Sequence, residues 1–290
     1  MNIVFMGTPE FSLPTLHKLY ESDHDVLLVV TQPDRPKGRG RESTPPPVKQ
    51  FALEKKIPVL QPIKCTNLEI VKTLGALNAD VFIVVAFGQI LDKNLLALPH
   101  HFCINLHSSL LPKYRGAAPI NWAIINGETE TGVTTMKMNA GLDTGDILLS
   151  RKVPIRNKDD ALSLHDTLAH QGSSLVMETL NQLDSGSLEA TSQNSDLASY
   201  APKLKKEDGL IKWNQPAVKI HNLVRGLTPW PGAFSFLGSK RFKICKTETK
   251  SCDLTDQPGV ILRISGHGIE VGTQKERLII TELQPEGKNK

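Results

Sequence analysis

Apolar runs separated by helical spacing fill the first two-thirds of the chain. Residues 2–6 are a short apolar run ending at Gly7-Thr8-Pro9, and residues 11–20 follow with apolar positions at helical intervals. Residues 26–31 form a second, Val-rich run. Residues 47–56 suit a helix, 58–60 a short strand, and 67–77 a helix capped by Thr66 or Asn67. Residues 81–87 (VFIVVAF) are apolar without alternation, as a strand buried on both faces requires. Residues 103–107 predict the next strand, 119–126 a helix, 132–138 and 147–154 two further strands, and 162–183 the longest helix. Strands too apolar to be one-sided, alternating with helices, predict an α/β fold. The expected form is a Rossmann-like, doubly wound, mostly parallel sheet.

The pattern then changes. Residues 184–202 (DSGSLEATSQNSDLASYAP) carry few large apolar side chains and read as a linker. Beyond a basic stretch at 203–213 and a helix at 217–225, the apolar runs are short: 233–237, 241–246, 259–264, 269–271 and 278–283. Short strands punctuated by Gly, Pro and Asp predict a small OB-like β-barrel. The expected organisation is a domain at 1–183, a linker at 184–202 and a second domain at 203–290. One other stretch stands apart. Residues 32–48 (QPDRPKGRGRESTPPPV) hold Arg35, Lys37, Arg39 and Arg41 among glycines and prolines, which excludes a regular helix or a central strand. Such a loop is either a solvated excursion or a basic finger that orders on phosphates.

Charge sharpens this division. Residues 203–290 carry 16 Lys and Arg against 9 Asp and Glu, a balance of +7, whereas residues 1–202 balance at −3. A basic C-terminal third implies an anionic partner such as nucleic acid, or else a solvated Lys-rich surface. No run of about 18 apolar residues is present, and MNIVFMGTPEF reads as a first strand, not a signal, so no membrane association is expected. The four cysteines form no C-x-x-C pair and sit near no His cluster, so we expect thiols in a reducing cytoplasm and no metal. The first strand is followed by Gly7-Thr8-Pro9-Glu10 with no G-x-G-x-x-G spacing, which disfavours a nicotinamide enzyme.

Residues 104–119 (INLHSSLLPKYRGAAP) carry the candidate chemistry. Asn105 and His107 are two apart at a strand's carboxyl end and therefore share a face. The loop GLDTGD that follows brings Asp143 within possible reach. An amide, an imidazole and a carboxylate suit acyl transfer. The amide N–H₂ and a protonated His107 can donate to a tetrahedral oxyanion, and Asp143 can favour the imidazolium or accept a proton. Each residue also has a plainer reading, His107 as a hydrogen-bonded structural side chain and GLDTGD as a turn. Ser108 and Ser109 lie beside His107, but no G-x-S-x-G elbow accompanies them, which argues against a serine hydrolase.

The run Asn105-x-His107-Ser108-Ser109-Leu110-Leu111-Pro112, with Tyr114-Arg115-Gly116-Ala117-Ala118-Pro119 and Gly141-Leu142-Asp143-Thr144-Gly145, closely resembles the folate-dependent formyltransferases. The resemblance extends through MGTPEF, TQPDRPKGRGR, VVAFGQIL, YAPKLKKEDGLIKW and RGLTPWPGAF. It implies transfer of the formyl group of 10-formyltetrahydrofolate to the α-amine of methionine on initiator tRNA. It further implies Asn105, His107 and Asp143 as the catalytic set. Phe87, Gly88, Gln89 and Ile90, with Ser109, Leu110, Leu111 and Pro112, are then the folate-contacting residues. Arg35, Lys37, Arg39 and Arg41, with Lys203, Lys205, Lys206 and Arg225, are the expected tRNA contacts. The family pattern continues past Lys288 into a helical tail that this sequence does not include. A cytoplasmic monomer is expected. Alternatives are a formyltransferase acting on a small amine (glycinamide ribonucleotide or an aminosugar) and a non-catalytic RNA-binding relative. The basic loop and C-terminal third favour tRNA over the former, and the intact Asn105–His107–Asp143 set favours catalysis over the latter.

Overall fold

The first apolar run is β1 (Asn2–Gly7) in a computed structural model that describes residues 1–37, 42–252 and 256–287. Ile3, Val4, Phe5 and Met6 are fully buried, so both faces of this strand are covered. In chain order there follow α1 (Leu13–Tyr20), β2 (Asp25–Val30), β3 (Arg35–Lys37), β4 (Glu42–Thr44), α2 (Pro47–Glu54), β5 (Val59–Leu60), α3 (Leu68–Gly75) and β6 (Val81–Val85). Next are α4 (Lys93–Leu96), β7 (Cys103–His107), β8 (Arg115–Gly116), α5 (Pro119–Ile125), β9 (Glu130–Lys137), β10 (Ile147–Pro154) and α6 (Ala161–Asp184). Last come β11 (Tyr200–Ala201), α7 (Ala217–Gly226), β12 (Ala233–Leu237), β13 (Lys240–Lys250), β14 (Ile261–Ser265), β15 (Gly268–Gly272) and β16 (Arg277–Pro285).

The main sheet has the order β10-β9-β7-β6-β1-β2-β5. Strands β5, β2, β1, β6 and β7 pair in parallel, and β9 runs antiparallel to β7. The chain builds outward from β1 to β5 and then returns to the other side of β1 at β6. This is the doubly wound arrangement, and its crevice opens at the carboxyl ends of β1 and β6. On one face, Leu74 of α3 and Leu95 of α4 join Val4, Met6, Phe82 and Val84 in a single apolar cluster. On the other, Lys18 of α1 donates to Ser174 of α6 at 2.7 Å. A Cβ on Gly172 of α6 would stand 2.6 Å from Leu106, so glycine there lets the helix lie on β7.

Three local features refine the sequence reading. The apolar strand expected over 81–87 ends at Val85, because Ala86 takes φ +47° and turns the chain out of the sheet. Asn67, not Thr66, caps α3, its Oδ1 accepting from Glu69 N at 3.0 Å. The basic stretch at 32–48 contributes β3 and β4, an antiparallel ribbon separate from the main sheet. Lys49 and Gln61 both donate to Asp34 at 2.7 Å and anchor the ribbon's base.

The chain divides into two compact units. One comprises Met1–Arg115, Gly132–Val153 and Asp166–Tyr200; the other comprises Gly116–Thr131, Pro154–His165 and Ala201–Lys290. The second is built on five strands in the order β12-β13-β16-β15-β14, with the pairs antiparallel. Ala217, Ile220 and Val224 of α7 pack on Ala233, Ile244, Val271, Leu278 and Ile280 of this sheet. The edge strands β12 and β14 line one open apolar pocket together with β13, β15 and β16. The sheet therefore curls toward closure, as an OB-like barrel does.

Candidate active site

Strand β7 places Asn105 and His107 by its pleat. Ile104 and Leu106 are buried, Leu106 against α6, so the alternate residues Asn105 and His107 project to the opposite face. His107 pairs with Thr134 of β9 in the register, and Asn105 lies between Val84 of β6 and Met136 of β9. His107 is only 6% exposed, and its Nε2 lies 2.9 Å from the carbonyl oxygen of Tyr114. A carbonyl can only accept, so Nε2 carries the proton of the neutral ring and Nδ1 is left facing the site. Nδ1 stands 3.8 Å from Asp143 Oδ2. That separation lies within ion-pair range and beyond hydrogen-bond range. The amide, imidazole and carboxylate named from sequence are thus carried by one strand end and one neighbouring loop.

Two residues that sequence reading passed over hold these groups. Thr134 Oγ1 donates to Ser109 O at 2.7 Å and accepts from Leu111 N at 3.2 Å, fixing the turn after His107. Gln193 Nε2 donates to the carbonyls of Asp143 and Gly145 at 2.9 and 2.7 Å. Thr134 was visible only as one of several threonines in its strand, and Gln193 lay in a stretch with no periodic signal. The cysteines offer no nucleophile at this strand end. Cys103 begins β7 at its far end, and burial pushes its thiol up to about 12.

The residues implied as folate contacts follow two neighbouring strands, β6 and β7. Thr8 Oγ1, just after β1, donates to Phe87 O at 3.1 Å, and Ser12 Oγ donates to Val85 O at 2.7 Å, tying the ends of β1 and β6 together. Gln32 Nε2 also donates to Phe87 O at 3.3 Å. Phe87 is buried, Gly88 and Ile90 are exposed, and the Gln89 amide is bonded to Cys65 N and Pro62 O at 2.8 and 2.9 Å. In the second loop Leu110 and Pro112 are half-buried and Leu111 is buried. Ser109 is wholly buried, its hydroxyl donating to Lys113 O at 2.6 Å, so it shapes the turn.

Among the basic residues, Arg35 is exposed on the ribbon and donates to Gln32 Oε1 at 3.0 Å. Arg39 and Arg41 lie outside the described residues, and Lys37 is described by its backbone alone. Lys203, Lys205 and Lys206 are exposed. Arg225 is half-buried: Nη1 donates to the carbonyls of Arg156 and Asp159 at 3.2 and 2.9 Å, and burial holds its guanidinium below the usual range. Among the described residues no group of three or more His, Cys, Asp or Glu is placed to hold a metal ion, and no helix is long and apolar enough to cross a membrane.

Comparison with known families decides the class. Residues 1–180 match the model described as formyl transferase, and residues 203–290 match the formyl transferase C-terminal domain. The chain belongs to the formyl transferase family. A methionyl-tRNA formyltransferase of Geobacter sulfurreducens is 53% identical over 290 residues, covering 100% of this chain and 91% of that protein. The methionyl-tRNA formyltransferase of Caldanaerobacter subterraneus subsp. tengcongensis is 50% identical over 291 residues, covering 100% and 94%. Among solved structures, WlaRD, a sugar 3N-formyl transferase crystallised with dTDP and 5-N-formyl-THF, superposes with a TM-score of 0.72 at 20% identity, covering 100% of this chain and 99% of that one. HypX from Aquifex aeolicus in complex with tetrahydrofolic acid superposes with a TM-score of 0.66 at 20% identity, covering 99% of this chain and 44% of that one. At such identity these two establish the formyl transferase fold.

Proposed function

We propose that this formyl transferase moves the formyl group of 10-formyltetrahydrofolate to the α-amine of methionine on initiator tRNA. The observation that carries the reading is the meeting of Asn105, His107 and Asp143 at the end of β7. It occurs in a chain about half identical, along its whole length, to proteins named methionyl-tRNA formyltransferase. The amine attacks the formyl carbon and gives a tetrahedral carbon bearing an oxyanion. The Asn105 amide and the Nδ1–H of protonated His107 donate to that oxygen, charge stabilisation in a water-poor site. Tyr114 O holds the far nitrogen, so the ring cannot turn Nδ1 away. Asp143 takes the amine's proton. Collapse breaks the bond from carbon to N10 of the folate, which leaves with the proton that Asp143 took from the amine. No covalent enzyme intermediate is needed.

The formyl donor suits the crevice between β1 and β6. Exposed backbone at Ala86, Gly88 and Ile90 can edge a flat ring, and Leu110 and Pro112 supply apolar contact. The tRNA is assigned to the exposed cations Arg35, Lys203, Lys205 and Lys206, with Lys37, Arg39 and Arg41 from the same basic stretch. Arg225 adds a charge held in place by its carbonyl bonds. Binding through phosphates should weaken steeply with salt. The enzyme would act as a cytoplasmic monomer.

The test is gel separation of formylated from free Met-tRNA after reaction with 10-formyltetrahydrofolate, beside glycinamide ribonucleotide as acceptor. Met-tRNA should be formylated, and His107→Ala should lower turnover by about 10²-fold or more. Formylation of glycinamide ribonucleotide alone would overturn the acceptor. Near-parental turnover by His107→Ala would overturn the mechanism.

A further inference from the structure

Residues 191–199, between α6 and β11, are bonded to both loops that face His107. Toward the Asp143 loop, Thr191 and Ile147 exchange two backbone hydrogen bonds of 2.8 Å, and Ser192 Oγ donates to Asp146 Oδ1 at 3.0 Å. Gln193 Nε2 then donates to the carbonyls on either side of Thr144. Toward the Tyr114 loop, Ser199 Oγ accepts from Tyr114 N at 2.9 Å, and Ser199 O accepts from Arg115 N at 2.8 Å.

The direction of the Gln193 amide follows from Arg115. Arg115 is 3% exposed, and its Nε and Nη2 both donate to Gln193 Oε1, at 3.1 and 2.7 Å. A guanidinium has donors and no acceptor, so it meets the amide oxygen and turns the N–H₂ toward the two loop carbonyls. Asp143 sits at φ +52°, a left-handed conformation uncommon for a non-glycine residue, and the Gln193 amide bonds its carbonyl.

We propose that Gln193 and Arg115 are positioning residues for formyl transfer. Together they make residues 191–199 a strap that holds the Asp143 carboxylate against His107 Nδ1, while Ser199 steadies the turn whose Tyr114 carbonyl accepts the hydrogen bond from Nε2–H. This rests on the roles given above to His107 and Asp143.

Gln193→Glu separates positioning from folding. The carboxylate still accepts from Arg115, now in a charge-assisted pair, but it has no N–H for the two carbonyls. The variant should stay folded at the assay temperature and keep its KM for 10-formyltetrahydrofolate and Met-tRNA, with kcat lower by about 10- to 100-fold, as a misplacement near 1 Å costs. In an Asp143→Asn background the same substitution should add no further loss, because the group it positions has been neutralised. Gln193→Asn, one methylene short of the carbonyls, should give the same kcat loss if the added charge prevents folding. Parental kcat in both Gln193 variants would overturn the proposal. So would losses that multiply in full with that of Asp143→Asn, since Gln193 would then act elsewhere. Parental turnover by Asp143→Asn alone would instead refute the catalytic role of the carboxylate.

Discussion

Thr134→Val tests whether one hydroxyl fixes the turn that follows β7. Thr134 is fully buried opposite His107, and its Oγ1 both donates to Ser109 O at 2.7 Å and accepts from Leu111 N at 3.2 Å. Valine keeps the branched shape and the strand preference, so almost no cavity is made. The substitution strands one buried carbonyl and one buried N–H, each at about 1–3 kcal/mol. The second bond is long, and Leu110 and Pro112 beside it are only half-buried, so water can partly replace it. We therefore expect the lower end of the range, about 2–3 kcal/mol. That corresponds to a fall in Tm of roughly 4–12 °C for a unit of this size. Thr134→Ser retains the hydroxyl and should recover most of the loss. Urea and thermal unfolding of the parent and both variants measure the effect, and KM for 10-formyltetrahydrofolate should rise in the valine variant as the loop loosens. If Thr134→Val unfolded within about 0.5 kcal/mol of the parent, the range of a neutral surface change, the bracing role would be refuted.

Two further outcomes follow from backbone and charge. Gly116 has φ +120°, and a Cβ there would stand 2.7 Å from the carbonyl oxygen of Ala201, so Gly116→Ala should destabilise by about 2–3 kcal/mol from strain and contact together; unchanged urea unfolding would contradict this. Hydrogen bonds from Gln61, and then from Lys49, hold the Asp34 carboxyl below its ordinary value. Its contribution to the ribbon's base is therefore full above about pH 4 and is lost as pH falls through the depressed value. Amide exchange in residues 32–35 should accelerate over that acid window in the parent, and Asp34→Asn should lack the transition; an identical acid transition in both would refute it.

Much of the sheet was legible because burial on both faces leaves a local mark. Residues 2–6 and 81–87 read as apolar runs, and their alternation with helices placed them in a parallel sheet, the second run ending two residues early at Val85. The pairing of Asn105 with His107 was legible for the same kind of reason, since the two-residue pleat acts over a few ångströms of chain. The start of α3 was legible to within one residue, Thr66 or Asn67, and the structure gives the cap to Asn67. Ala86 was not legible as a strand end: its left-handed turn comes from the junction of β1 and β6, not from an alanine. The 3.8 Å approach of Asp143 to His107 was equally closed to sequence. So was the strap, whose Gln193 lies 50 residues from Asp143 and 78 from Arg115. Sequence by itself determined which segments must be buried, because hydrophobic period is a property of neighbours along the chain. Only the tertiary structure decided which polar groups meet, because a hydrogen bond between distant residues leaves no period to read and depends on where packing brings each loop to rest.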